Sequence, residues 1–99
     1  MILATRIRMK PSYSNASAAY YTLEGQLLEL DKVYLTGVTD EGWHKKDIVH
    51  DFINSSHEVS VNISPYPKLI AALSRNQEEY VRSSPNDSTH DNLLNLPRG

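Results

Sequence analysis

Cysteine is absent, so the chain has neither a disulfide framework nor a thiolate metal site, and burial and hydrogen bonding alone must hold the fold. Four glycines leave little room for a phosphate-cradling loop, and neither a dinucleotide fingerprint nor a nucleophile elbow occurs. No apolar run approaches the ~18 residues of a membrane span, and the basic residues of MILATRIRMK stand among and after its apolar ones, the reverse of a signal peptide. These absences point to a cytoplasmic chain with no membrane contact. An excess of positive charge is missing too. Ten Lys plus Arg stand against twelve Asp plus Glu, a net of -2, which argues against nucleic acid as a partner unless a basic surface is gathered locally.

What is present fits one domain over residues 1–99, long enough for a single modest core that buries roughly 60 to 65% of the unfolded surface. In residues 2–10, Leu3, Thr5, Ile7 and Met9 alternate with Ala4, Arg6, Arg8 and Lys10, the pattern of a half-buried strand ended by Pro11. Residues 11–26 read as a loop with a short ordered piece. A second strand is expected near 28–36, ended by Gly37. Thr39 to Gly42 then turn, Trp43 covers a helix end, and the one convincing helix runs over 44–54. Its apolar stripe is Ile48, Val49, Phe52 and Ile53, with Lys45, Lys46, Asp47, His50 and Asp51 facing out. Val59, Val61 and Ile63 mark a third strand, and Leu69 to Leu73 and Glu79 to Ser83 form a hairpin. The expected architecture is α+β, in the order β-β-α-β-β-β: a small antiparallel sheet of about five strands, one main helix packed on it, and the tail 84–99 folded back.

The tail is the most informative stretch. Pro85 stops the last strand, Asn86, Asp87 and Ser88 turn, and Asp91 or Asn92 can cap a terminal turn that carries Leu93, Leu94 and Leu96 onto the core. Three buried leucines contribute on the order of 4 to 9 kcal/mol before chain entropy, comparable to the whole stability of a small domain. The order of parts is a helix introduced by Gly42, Trp43, Lys45 and Lys46, then strands, then Tyr80-Val81-Arg82-Ser83, Pro85-Asn86-Asp87 and Asp91-Asn92-Leu93-Leu94, with Leu96 and Pro97 at the close. It resembles an uncharacterised bacterial family of short single-domain proteins, a domain of unknown function with that C-terminal signature. The likeness is close over 80–97 and one of layout over 30–97; residues 11–26 are longer than the family's usual link. It implies no activity.

Candidate sites divide among three functions. A non-enzymatic binding module, the preferred reading, uses the last strand and tail: Tyr80, Arg82, Asp87, His90, Asp91 and Asn92, with a protein partner or a second copy of the chain as a homodimer. In the structural version of that reading Arg82 pairs with Asp87 or Asp91. The first alternative is a nucleic-acid contact built from Arg6, Arg8, Lys10, Lys45, Lys46 and Arg75. The second is a small hydrolase drawing on Ser83, Ser84, Ser88, His90, Asp87 and Asp91, residues so close in sequence that only a very particular loop would converge them. Asp47 and Asp51 share a helix face with His44 one turn earlier and His50 adjacent, a weak pattern for a cation; the expectation is no metal, no cofactor and no enzyme.

Overall fold

Ile2–Met9 form strand β1 of the computed structural model, which describes residues 1–11, 13, 21–84 and 91–99. The elements that follow are helix α1 (Leu23–Leu28), strands β2 (Leu30–Thr36) and β3 (Gly42–Lys45), helix α2 (Lys46–Asn54), strands β4 (Val59–Val61), β5 (Leu69–Leu73) and β6 (Glu79–Ser83), and a terminal 3-10 turn, Asn92–Asn95. The class is α+β as expected. The sheet is not one antiparallel array: a mixed four-stranded sheet runs β3-β2-β1-β4, with β1 and β4 parallel, and β5 and β6 make a separate hairpin. Val61 N–H donates to the Pro67 carbonyl at 2.8 Å, and a Ser60 to Lys68 bridge ties the hairpin to β4.

One bulge in β1 and one in β2 set the register between these strands. Ala4 pairs with Leu35 and Arg6 with Tyr34, so Thr5 is an extra residue; on the other side Arg8 pairs with Lys32 and Met9 with Leu30, so Asp31 is extra. One extra residue reverses the facing of everything beyond it. Ala4 and Ile7, three apart, are therefore both fully buried, which strict alternation does not allow. Arg6 and Arg8 still face outward, but Lys10 lies beyond the end of β1, 3.9 Å from Glu78.

Residues 23–28, part of the stretch read as loop and strand, form α1. The Thr22 hydroxyl accepts from Gly25 N–H at 3.0 Å and starts the helix, and Leu27 pins it to the core. At Gly37, with φ +82°, a Cβ would collide with the Met1 carbonyl, so the turn out of β2 needs glycine. Trp43 belongs to β3 and covers the sheet rather than a helix end, because a four-residue strand running straight into α2 leaves no alternation to read.

α2 lies against β5 and β6, rotated from its expected setting. Lys46, Val49 and His50 are buried and Ile48 is 53% exposed. Positions 46, 49, 50 and 53 are a proper helical stripe, but two of its members are polar and are buried with partners, which a hydropathy pattern scores as surface. Lys46 Nζ donates to the Leu28 carbonyl and to Glu78 Oε2 at 2.6 Å; His50 Nδ1 meets the Tyr80 carbonyl at 2.9 Å. The core joins Ile7, Leu30, Val33, Val49, Val61 and Val81 to Leu93 and Leu96 of the tail. Among the described residues no helix is long and apolar enough to cross a membrane.

Candidate functional site

The outward face of the four-stranded sheet is built by register. Across β1, β2 and β3 one row reads Arg8, Lys32, Lys45 and the next reads Arg6, Tyr34, Trp43. Strands about 4.8 Å apart hold three cations within about 10 Å, and the two rows lie about 7 Å apart along the strands. Among the described residues no carboxylate pairs with Arg6, Arg8, Lys32 or Lys45. The Arg8 guanidinium sits 4.4 Å from the Trp43 ring centroid, and Tyr34 meets the same indole edge-on at 5.3 Å. Each aromatic thus holds a neighbour in place beside the cations, and the terminal Gly99 lies against the indole edge.

Of the six residues predicted for a nucleic-acid contact, three gather here: Arg6, Arg8 and Lys45. Lys32, missed in the sequence, completes the row; its signal is the outward alternation Lys32, Tyr34, Thr36 against the buried Val33 and Leu35. Lys10 and Lys46 turn instead to Glu78, and Arg75 lies in the β5–β6 turn, away from the face.

The tail residues make a different kind of site. The Asp91 carboxylate accepts from Ser83 N–H at 3.0 and 3.2 Å, from Ser83 Oγ at 2.7 Å and from Leu93 N–H at 2.9 Å. Asn92 N–H donates to Ser83 Oγ at 3.2 Å. Ser83, Asp91 and Asn92 are all buried, so this knot holds the tail and gives no substrate access to a serine. Asp91 is therefore not the expected partner of Arg82, whose Nε is buried with no acceptor among the described residues. Tyr80 is buried with its hydroxyl 3.4 Å from Glu24 Oε1; burial, then the Glu24 charge, push its phenol up. Asp87 and His90 lie outside the described residues, as does Ser88, so half of the expected hydrolase set is not described.

Beside α2, a cleft of about 500 Å³ is lined mainly by apolar side chains, Ile2, Leu35, Val38, Ile48 and Phe52 among them. His44 lines it with Nε2 2.7 Å from the Asp40 carbonyl, and His57 stacks on Phe52 at 4.0 Å. On the opposite side of the helix, Lys46 holds the Glu78 carboxyl below its ordinary value through a hydrogen bond, against partial burial and with Lys10 adding a little. A carboxyl lowered in this way contributes stability above its unfolded value and loses it as pH falls through the folded one. Glu78→Gln is expected to be the less stable protein at neutral pH, with the gap to the parent narrowing as pH falls below the ordinary carboxylate range, as read from urea unfolding at neutral and acid pH.

The family model described as Protein of unknown function (DUF3892) matches residues 32–97, from β2 to the end of the tail. No curated protein and no solved structure matches the chain.

Proposed function

The chain belongs to that family of unknown function, and we propose that it is a non-enzymatic binding module whose ligand, a single-stranded nucleic acid, lies across the outward face of the four-stranded sheet. The observation that carries this is the pair of cross-strand rows, Arg8-Lys32-Lys45 and Arg6-Tyr34-Trp43. Cations with no acid partner among the described residues, set beside aromatic rings, are what a strand with phosphates and unstacked bases requires. A net charge of -2 leaves little long-range attraction, so affinity depends on this local patch. The strand edge first favoured for a protein partner, β6 beside the tail, has its Ser83 N–H committed to Asp91, which weakens strand addition there.

Four phosphate contacts on a single strand give a slope of about -3 in log affinity against log salt, a loss of about 50-fold between about 50 and 200 mM. The test is fluorescence anisotropy of a short labelled single-stranded oligonucleotide, with the matching duplex as comparator. Lys32→Glu with Lys45→Glu should weaken binding by more than about tenfold and leave melting little changed, since Lys45 is exposed at the α2 N-terminus, where a carboxylate is favoured. No binding at low salt, or binding indifferent to the double variant, overturns the reading.

A further inference from the structure

We propose that His50, Asp51 and Glu79 form a site for a first-row divalent cation such as Zn2+. Their ligand atoms, one imidazole nitrogen and two carboxylate oxygens, lie within 4.8 Å of one another, on two elements that the fold packs together. The imidazole is prepared for the role. His50 is 3% exposed, and its Nδ1 lies 2.9 Å from the Tyr80 carbonyl, which can only accept. Nδ1 therefore carries the proton, and in the neutral ring Nε2 is a lone pair. A metal-binding histidine is commonly oriented in this way, by a carbonyl behind it.

That lone pair points at another acceptor. His50 Nε2 is 3.5 Å from Glu79 Oε2. Two ligands each about 2.0 to 2.2 Å from one Zn2+ at a tetrahedral angle stand about 3.4 Å apart, so this pair already has the spacing of neighbouring ligands. Asp51 is exposed on α2 and has rotamer freedom to close the third position, with water left for the fourth. Among the described residues the carboxylates have no other cation. Lys46, the buried ammonium on the same helix, is committed to Glu78 and the Leu28 carbonyl. A divalent ion between the two carboxylates relieves their crowding and satisfies Nε2 in one step. One nitrogen, two oxygens and no sulfur suit Zn2+ or its first-row neighbours better than Ca2+ or Cu(I). The competing state is a protonated His50 in a plain ion pair with Glu79, and it makes opposite predictions.

The test uses the whole chain without an affinity tag, treated with chelator and then titrated with Zn2+ by calorimetry and with Co2+ by visible absorption. One equivalent should bind, and free Zn2+ at about ten times its Kd should raise the melting temperature by about 5 to 10 °C. Asp51→Asn and Glu79→Gln, both at solvent-accessible positions, should each weaken binding about tenfold or more, with ion-free melting within a few degrees of the parent. Absence of both a Co2+ band and a melting shift overturns the proposal in favour of the ion pair. Binding unchanged in both variants and lost in His44→Ala or His57→Ala also overturns it, by moving the ion elsewhere.

Discussion

Asp91→Ala is expected to lower stability by about 3 to 5 kcal/mol, a large part of the 5 to 15 kcal/mol on which a domain of this size stands. Asp91 is 3% exposed, and its carboxylate serves three donors: Ser83 N–H, Ser83 Oγ and Leu93 N–H. Hydrogen bonds to a charged acceptor contribute about 1.5 to 3 kcal/mol each, and a buried donor left without an acceptor costs about 1 to 3 kcal/mol. The hydroxyl can turn to another acceptor, but the two backbone N–H groups cannot, so they set the size of the loss. Asp91→Asn keeps the shape and one accepting oxygen and should fall between the variant and the parent. Urea unfolding followed by Trp43 fluorescence measures both. An Asp91→Ala protein within about 1 kcal/mol of the parent would mean that leucine burial alone holds the tail.

Where a side chain's hydropathy and its position agree, the sequence was legible. Val59 and Val61, the hairpin of β5 and β6, and the capped leucines of the tail all sit as their letters suggest. The misreadings come from two physical sources. A bulge costs one residue and leaves no mark in composition, so the inward turn of Ala4 was invisible until the register with β2 was known. A polar side chain buried with a partner looks like surface: Lys46 and His50 find theirs in Glu78, Leu28 and Tyr80, each at least eighteen residues away in the chain. No local pattern carries that information.

The candidate face was half legible for the same reason. Arg6 and Arg8 are a visible pair, but their continuation through Lys32 to Lys45 exists only because three strands lie side by side. Conversely, Asp91 and Asn92 looked like ligand-binding residues because small polar residues near a strand end serve both purposes. Burial separates the two uses: Asp91 spends its carboxylate on Ser83 and Leu93, while Lys45 remains exposed. The histidine most worth testing, His50, was read as solvated because its partners stand on β6.

Leu93→Ala should cost about 2 to 5 kcal/mol and lower the melting temperature by about 10 °C or more, whereas Leu94→Ala should cost less than about 1 kcal/mol. The two leucines are adjacent, so the difference is one of place. Leu93 is fully buried and Leu94 only partly, beside Leu96 at 3% exposure. The tail also joins the two sheets. Asp91 fastens it to Ser83 of β6, and six residues later the Pro97 carbonyl accepts from Ile7 N–H at 3.0 Å while Gly99 N–H donates to the Ile7 carbonyl at 3.0 Å. The terminus thereby runs beside β1 past the point where β4 leaves it, and covers an edge that would otherwise lie open. Leu93 stands between these two attachments, so truncating it opens a cavity at the seam between the four-stranded sheet and the hairpin. Equal losses for Leu93→Ala and Leu94→Ala in urea unfolding would mean that the tail lies on the surface as a cover. A several-fold larger loss at Leu93 is the mark of a tail that is part of the core.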